Sequence, residues 1–221
     1  MISSVLKKLP FWRNYTTSQW SSWWQNRKID WGESYLSTWN HPHRHMITSV
    51  LKTFEWQSLL EVGCGAGANL MNIIKCIGKK QLGGIDINAD AIEMAQKSFN
   101  GAFFKVSSVE DMMMSDSSVD VVLSDMTLIY VGPRKINKVI KEIKRVARLR
   151  VVLCEFHMES WFQRIMMRLK SGYNAYDYVK LLEKHGFHDV IRYKIPKEAW
   201  PGGGWQEKCG YVITAKVPRR K

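Results

Sequence analysis

A glycine-rich turn at residues 63–67 constrains the fold of this chain more than any other feature. It follows the apolar residues Leu59, Leu60 and Val62, which are typical of a buried parallel strand. An amphipathic helix pattern begins directly after the turn. A strand, a glycine turn and a helix in this order form the ligand-binding corner of a doubly wound α/β sheet, because side chains there would keep a ligand away from the backbone. The sequence therefore predicts an α/β fold with a ligand site at this turn.

Two acidic residues bear on which ligand the turn binds. Gly63, Gly65 and Ala68 also satisfy the dinucleotide spacing G-x-G-x-x-G/A, so a nicotinamide or flavin site is an open alternative. Glu61 precedes the first glycine, where its carboxylate can face a cationic ligand but would repel a pyrophosphate. Asp86 ends the second predicted strand, in the position from which an acid accepts hydrogen bonds from a ribose diol. Together the two acids favour a nucleoside sulfonium over a dinucleotide.

The motif resembles that of the class I S-adenosylmethionine-dependent methyltransferases, particularly those that act on small molecules. The family's first motif, E-x-G-x-G-x-G, is present as Glu61, Gly63, Gly65 and Gly67. Asp86 takes the place of the family's second-strand ribose acid, and residues 104–131 match the stretch around its third and fourth strands. The resemblance extends from about Met46 to the end of the chain.

The resemblance implies S-adenosylmethionine as cofactor and a specific set of contacts to it. The expected cofactor-binding residues are Glu61, Gly63, Cys64, Gly65, Gly67, Asp86, Ile87, Ser108, Val109 and Asp125. One position departs from the family pattern: the acid that often binds the adenine amino group aligns with Ser108. The Ser108 hydroxyl or the Val109 backbone is therefore expected to make that contact.

The predicted architecture is a doubly wound, mostly parallel seven-stranded sheet with an antiparallel C-terminal strand and an N-terminal helical cap. Beyond the first two strands, strands are predicted at residues 102–106, 119–123, 150–156, 188–195 and 210–217. Helices are predicted at residues 44–54, 89–99, 133–148, 159–170 and 173–185. The loop at residues 199–208 contains two tryptophans and three glycines, and we expect it to shape an acceptor pocket.

Residues 1–45 differ in composition from the rest of the chain. They contain six of the ten tryptophans, separated by polar residues. We interpret them as a Trp-rich cap that packs over the ligand, and residues 46–221 as the methyltransferase domain. Two alternatives stay open: the aromatic residues anchor an N-terminal arm, or they form a belt at a membrane interface.

The charge of the chain indicates an anionic contact without identifying it. Thirty-three basic and 20 acidic residues give a formal net charge of +13. RNA, an acidic lipid surface and a phosphorylated metabolite all fit this balance, as does a basic enzyme with a neutral substrate. The basic side chains lie along the predicted helices at residues 133–148 and 159–170.

Cellular location and metal binding are constrained only weakly. The chain has no run of 18 apolar residues, so no transmembrane segment is predicted. Four scattered cysteines without a C-x-x-C pair favour a reducing compartment, and we expect a cytoplasmic protein. The three histidines at residues 41–45 lead into a helix with no fourth ligand nearby, so no metal site is predicted.

The predicted reaction is the in-line transfer of a methyl group to an oxygen or nitrogen atom of a small-molecule acceptor. His157, Glu155 and Tyr130 are the catalytic candidates because they follow the predicted fourth and fifth strands, whose carboxyl ends border the ligand crevice. RNA methylation is the first alternative, although Ser124–Thr127 lacks the N-P-P-Y pattern of amino-base methyltransferases. A nicotinamide-dependent oxidoreductase and a non-catalytic cofactor-binding subunit are further alternatives. The oligomeric state stays open.

Overall fold

A seven-stranded sheet forms the centre of the protein, whose computed structural model describes residues 17–218. The strands are β1 (Ser58–Val62), β2 (Gln81–Asp86), β3 (Phe103–Val106), β4 (Val119–Asp125), β5 (Ala147–Phe156), β6 (His188–Lys194) and β7 (Gly210–Lys216). The helices are α1 (Thr17–Gln25), α2 (Trp31–Ser34), α3 (Pro42–Leu51), α4 (Ala68–Cys76), α5 (Ala89–Ser98), α6 (Ile136–Val146), α7 (Trp161–Ser171), α8 (Tyr178–Lys184) and α9 (Trp205–Cys209). Three 3₁₀ turns lie at Leu36–Asn40, Leu128–Tyr130 and Lys197–Ala199.

The strand order is β3-β2-β1-β4-β5-β7-β6, and only β7 runs antiparallel to its neighbours. This confirms the predicted mostly parallel sheet with its antiparallel C-terminal strand. The chain reverses its direction of winding between β1 and β4, which pair directly. In open α/β sheets the carboxyl ends of the strands at such a switch point border a crevice that holds the ligand.

Apolar side chains cover both faces of the sheet. Leu59 and Val121, which are partners across β1 and β4, belong to one buried cluster, together with residues of α3, α4 and α5. Leu60 and Val122, the next pair, belong to the other cluster, which includes α6 and α8. Successive side chains of a strand point to opposite faces, so a continuous apolar strand is buried on both sides.

The predicted helix at residues 173–185 is wrong in its first half. Residues before Tyr178 bond to neighbouring segments instead of to each other: the Asn174 amide donates to the Ile129 carbonyl, and the Tyr176 amide to the Phe156 carbonyl. The helix begins after Asp177, whose side chain accepts a hydrogen bond from the Lys180 amide and caps it. Tertiary hydrogen bonds have overridden the local helical pattern.

Two long-range contacts hold the N-terminal segment against the sheet domain. Trp20 Nε1 donates to the Gly172 carbonyl over 3.1 Å. The Asn88 side-chain amide, at the start of α5, donates to the carbonyls of Trp24 (2.8 Å) and Arg27 (2.9 Å). The segment therefore lies near the carboxyl end of β2. The part of the Trp-rich prediction that includes Trp12, and the basic residues 219–221, lie outside the described residues.

Over residues 17–218, the helices are too short or too polar to span a lipid bilayer.

Candidate functional site

The glycine turn has a backbone that only glycine adopts readily. Gly63, Gly65 and Gly67 have φ values of +68°, +52° and +87°. A Cβ atom on Gly63 would overlap the Thr127 side chain, and one on Gly65 would lie 2.7 Å from the Tyr35 ring. The turn is therefore enclosed by a residue that follows β4 and by a residue of the N-terminal segment.

A cavity of about 300 Å³ opens beside this turn, at the carboxyl ends of β1, β2 and β4. Seven of the ten predicted cofactor residues line it: Gly63, Gly65, Asp86, Ile87, Ser108, Val109 and Asp125. Glu61, Cys64 and Gly67 do not line it. The Cys64 side chain is buried against Gly84 of β2, and Gly67 is the N-cap residue of α4.

Asp86 joins the glycine turn to the end of β2. Its carboxylate accepts hydrogen bonds from the backbone amides of Gly65 and Asn88, each at 2.9 Å. Burial raises the pKa of Asp86, and these backbone hydrogen bonds act in the opposite direction. A cavity-lining carboxylate fixed in this way is suited to accept hydrogen bonds from a diol.

Glu61 lies behind the cavity wall. Asn69 Nδ2 donates to Glu61 Oε1 at 2.6 Å and to Asp125 Oδ2 at 3.0 Å, so the amide links the two acids. Burial raises the pKa of Glu61 to about 8 although the hydrogen bond from Asn69 lowers it. Glu61 Oε2 has no hydrogen-bond partner among the residues described. The prediction that Glu61 contacts the ligand stays a prediction: Asn69 of α4 bonds to its Oε1, and Glu61 itself is not among the cavity-lining residues.

Asp125 receives three hydrogen bonds at the end of β4. Besides Asn69, His43 Nε2 donates to Oδ2 at 2.9 Å and Arg44 Nη1 donates at 3.1 Å. Burial alone would raise the pKa of Asp125, but His43, Arg44 and Asn69 outweigh it and hold that pKa well below its usual range. The other carboxylate oxygen, Oδ1, is buried and has no partner in residues 17–218. Asp125 lines the cavity, but Oδ1 has almost no exposed surface, so a bound molecule would reach it only after a rotation of the carboxylate.

The hydrogen-bond roles of two histidines follow from the charge of Asp125. An ionised carboxylate only accepts, so His43 Nε2 carries a proton. In neutral His43 the other nitrogen, Nδ1, then accepts from His41 Nδ1, which lies 2.6 Å away. Burial lowers the pKa of His41, and His43 and Arg44 lower it further. A chain of hydrogen bonds thus runs from His41 through His43 to the cavity carboxylate.

Aromatic side chains form most of the remaining cavity wall. The His43 ring packs on Trp200 with 3.9 Å between the ring centroids. Tyr130 and Tyr173 pack edge to face at 5.8 Å. The N-terminal segment contributes Ser21, Trp24, Trp31 and Tyr35 to the lining. The loop at residues 199–208, expected to shape an acceptor pocket, contributes Trp200 and Gln206.

Of the three predicted catalytic residues, only Tyr130 lines the cavity. Burial, and then the neighbouring Tyr173, raise the pKa of Tyr130 well above its usual value, so this phenol is neutral at physiological pH. It can donate or accept a hydrogen bond but does not act as a phenolate base.

Glu155 and His157 lie elsewhere, which corrects their predicted role at the crevice. Glu155 is fully buried under the turn after β4, where its Oε1 accepts hydrogen bonds from Ser124 Oγ and from the amides of Thr127 and Leu128. Burial raises its pKa to about 8 against the effect of these bonds. It anchors a turn.

His157 borders a different groove, together with Arg192. Its Nδ1 accepts from the Tyr178 amide at 3.1 Å, and its Nε2 lies 2.6 Å from Arg192 Nη1. Burial, followed by the charge of Arg192, lowers its pKa. Strand β5 pairs with β7 through Phe156, and His157 leaves the sheet on the side of α8.

The sequence predicts the histidine run at a helix start near the mouth of the site, in preference to a metal site, but it does not predict the contacts of His43, Arg44 and Asn69 with Asp125. Pro42 at the first position of α3 was the available signal, because it places the next two residues in a helical first turn. Among the described residues, no group of three or more His, Cys, Asp or Glu side chains is arranged to hold a metal ion.

Comparison with known proteins agrees with this geometry. A family model described as a methyltransferase domain matches residues 59–149, from β1 into the start of β5. A chain of the complex between the Haloferax volcanii Trm112 methyltransferase activator and a methyltransferase has a similar fold, with a TM-score of 0.66 and 16% identity over 91% of this chain and 98% of that one. The predicted resemblance to methyltransferases is confirmed over residues 59–149 by the family model, and the fold is confirmed by the similar structure.

Two further proteins are similar over part of their length. Haemonchus contortus phosphoethanolamine N-methyltransferase 2, in complex with phosphomonomethylethanolamine and S-adenosylhomocysteine, has a TM-score of 0.59 and 16% identity over 79% of this chain and 53% of that one. An uncharacterised protein of Rickettsia prowazekii (RP028) is 23% identical over 157 residues, which are 62% of this chain and 63% of that protein. This chain thus spans less than two thirds of the length of that relative.

Proposed function

We propose that this protein transfers a methyl group from S-adenosylmethionine to an oxygen or nitrogen atom of a small-molecule acceptor. The observation that carries the proposal is the cavity itself. It combines the family's glycine turn and second-strand acid with an aromatic enclosure from the N-terminal segment and the loop at residues 199–208. Its volume of about 300 Å³ is within the range of small-molecule sites.

The residues present fit the proposed cofactor. Gly63 and Gly65 leave the backbone bare where a Cβ atom would meet neighbouring side chains. Asp86 would hold the ribose, and Ser108 and Val109 line the cavity where the adenine is expected. Asp125 lines the cavity, and its Oδ1, which has no partner in the described part of the chain, would accept from the amino group of the methionine moiety after the carboxylate rotates to expose it. Bound there, S-adenosylmethionine would supply an electrophilic methyl group.

The contribution of the chain to catalysis is mainly to hold the acceptor in line and to exclude water. Transfer of this kind is accelerated chiefly by positioning. Trp24, Tyr130 and Tyr173 form an apolar wall that suits an acceptor with an apolar part. By contributing to this wall, residues 17–40 act as a cap on the domain that follows. The proposed location of the protein is the cytoplasm.

An acceptor hydroxyl must lose a proton, and His43 is the base that we assign to it: its Nδ1 would take that proton once the hydrogen bond from His41 opens, and the ionised Asp125 at Nε2 would stabilise the resulting imidazolium. The His43 imidazole lines the cavity, and it contacts both Asp125 and His41. His157 and Glu155 are no longer candidates because neither side chain borders the cavity. An amine acceptor would use the same cavity without needing this base.

RNA methylation remains the second candidate, motivated by the net charge of +13. The cavity favours a small acceptor over RNA, because Arg44 is the one lysine or arginine among its described lining residues and it already pairs with Asp125. The two further alternatives, a nicotinamide-dependent oxidoreductase and a non-catalytic subunit, rank below both of these candidates.

Calorimetric titration with S-adenosylhomocysteine, NADH and a short RNA separates these functions. We expect S-adenosylhomocysteine to bind, NADH not to bind, and the RNA to bind only weakly and only at low salt. Transfer of a labelled methyl group to pooled small-molecule acceptors then tests activity. Binding of NADH in place of S-adenosylhomocysteine, or RNA binding that survives about 200 mM salt, would overturn the proposal.

A further inference from the structure

Helix α7 exposes apolar side chains that the proposed reaction does not use. Trp161, Phe162 and Ile165 are 66%, 59% and 46% exposed, and Met167 is the one fully buried residue of the helix. The three side chains lie within the first two turns, so they form a continuous apolar surface. Large exposed apolar surfaces of this kind mark interaction sites.

Basic side chains flank this apolar surface on both sides. One groove beside α7 has Lys170 together with Arg192 and Lys208 on its walls. The groove on the other side has Arg168 of α7 together with Lys180 and Lys184.

The acidic residues of both grooves are already neutralised. Glu159 pairs with Arg192 at 2.5 Å, and Asp177 pairs with Lys180 at 3.3 Å. Lys170, Lys184 and Lys208 form no ion pair with any residue in the described range 17–218. The face as a whole therefore presents uncompensated positive charge around an apolar centre.

We propose that α7 and its two grooves form a docking surface for a membrane that contains anionic lipids. A helix that is aromatic on one face and flanked by lysine and arginine binds at the boundary between headgroups and acyl chains, where both parts find a partner. Tryptophan prefers that depth because its ring is amphipathic. The phosphates of an RNA would pair with the basic side chains, but Ile165 and its apolar neighbours would stay exposed to water.

The docking surface ends next to the candidate site. Helix α7 stops at Ser171, Gly172 follows in a left-handed conformation, and Tyr173 lines the cavity. Trp20 bonds to the Gly172 carbonyl and packs on Tyr130 with 4.9 Å between ring centroids. A molecule taken from the membrane at Ile165 would thus lie eight positions, about 12 Å along α7, from Tyr173 of the aromatic cavity wall. This last step rests on the proposed function, whereas docking itself does not.

Flotation of the full chain with lipid vesicles tests the proposal. At about 100 mM salt, where charges are screened beyond about 10 Å, we expect binding to vesicles of equal parts phosphatidylglycerol and phosphatidylcholine and none to pure phosphatidylcholine. Replacing both aromatic residues (Trp161→Ser with Phe162→Ser) should weaken the anionic-vesicle affinity at least about tenfold.

Two matched pairs of variants distinguish vesicle binding through this surface from nonspecific adsorption of the protein to vesicles. Ile165 and Ile191 are each 46% exposed, but Ile191 lies on β6, next to the groove-lining Arg192 and pointing to the opposite face. We expect Ile165→Ser to weaken vesicle binding and Ile191→Ser to leave it unchanged. Lys170→Gln should weaken it about fivefold, and Lys52→Gln, which lies between α3 and the start of the interior strand β1, should not.

A second copy of this chain or an RNA on the docking surface would give different results from a membrane. Equal effects of Ile165→Ser and Ile191→Ser, or no binding to anionic vesicles, would overturn the proposal. So would a dimer in light scattering that the aromatic double variant dissolves, or binding of a single-stranded RNA in place of vesicles. Should that double variant fail to fold, Ile165→Ser decides alone. Calorimetry with S-adenosylhomocysteine on the same preparations reports on the proposed function separately, because vesicle binding does not depend on it.

Discussion

His43 Nε2 donates to Asp125 Oδ2 over 2.9 Å, across a sequence separation of 82 residues. The contact joins the first turn of α3 to the end of β4, and Arg44 makes a second bond to the same oxygen. The end of β4 at the switch point is therefore held by two donors that lie outside the strands. Both carry charge or can acquire it, so the cavity carboxylate and its surroundings form one electrostatic unit.

The first prediction concerns the charge of Asp125. Asp125→Asn keeps the shape but leaves the Arg44 guanidinium, whose side chain is 6% exposed, without its counter-charge. Removing one partner of a buried pair costs about 3–5 kcal/mol of unfolding free energy. Asp90→Asn, which disrupts the exposed pair with Lys28, should cost at most about 1 kcal/mol. Urea denaturation of both variants is the measurement, and equal losses would contradict the prediction.

A second prediction assigns the ribose acid. Asp86→Ala should weaken the binding of S-adenosylhomocysteine by roughly 1.5–3 kcal/mol, the range for hydrogen bonds to a charged group. Asp86→Asn should weaken it less, since its carbonyl oxygen still accepts one of the two backbone bonds. Calorimetry measures both affinities, with melting curves as the folding control. Unchanged affinity in a folded Asp86→Ala protein would remove Asp86 from the site.

The third prediction compares Gly63, in the glycine turn, with Gly101, which lies between α5 and β3. Gly63 (φ +68°) and Gly101 (φ +77°) both have left-handed backbones, but only at Gly63 would a Cβ atom meet another side chain. Gly101→Ala should therefore lose about 1–2 kcal/mol of stability from backbone strain alone. Gly63→Ala should lose about 1–3 kcal/mol more from overlap with Thr127. Comparable losses in thermal unfolding would show that space at Gly63 is not limiting.

A fourth prediction follows from the protonation of Glu155. The pKa of Glu155 rises from 4.5 to about 8 on folding, so between these values the folded protein keeps a proton that the unfolded chain has released. Stability therefore falls as pH rises through this window, by at most about 1.4 kcal/mol per pH unit for one group. Glu155→Gln still accepts from Ser124 and Leu128 but does not titrate. It should reduce the slope without abolishing it, because the pKa of Glu61 is raised to about 8 as well.

Denaturation at several pH values measures this slope. Glu155→Ala is the companion variant, because it removes the acceptor of three hydrogen bonds; it should destabilise the protein by about 2–4 kcal/mol below pH 4.5 and by less as pH rises, since alanine does not titrate. An unaltered pH slope in Glu155→Gln would mean that this glutamate is ionised in the folded protein.

The fifth prediction distinguishes the catalytic candidates. Once an acceptor is found, His157→Gln should leave methyl transfer within about twofold of the original rate, since His157 borders a separate groove. His43→Gln should reduce it by about tenfold or more, because His43 lines the cavity and contacts Asp125, whereas Tyr130→Phe keeps the apolar wall and should reduce it less. The readout is kcat and KM for the acceptor, with cofactor affinity as control. A His157→Gln protein as impaired as His43→Gln would return His157 to the site.

Local sequence patterns predicted the fold more completely than they predicted the residues of the site. The glycine turn and its flanking strand and helix were predictable because neighbouring residues set their conformation. Asp86 could be placed because its distance from the turn along the chain is fixed by one strand and one helix. His43 and Trp200 are 157 positions apart, yet their rings are 3.9 Å apart, and no periodicity in the sequence encodes that contact. The positions of Glu155 and His157 outside the cavity could not be predicted for a related reason, since the direction of their side chains depends on how β5 pairs with β7.

The bond from Trp20 to Gly172 has a consequence for the order in which the molecule is assembled. The two residues are 152 positions apart, so Trp20 is synthesised long before its partner exists. Until residue 172 has left the ribosome, Trp20 lacks the Gly172 carbonyl and the neighbouring Tyr173 ring, although the contacts of α1 with Asn88 and Tyr130 are already available. Contacts of such long sequence separation form late in folding. The first described helix of the chain is thus among the last to settle, and the cavity is enclosed only when nearly all of the sheet is in place.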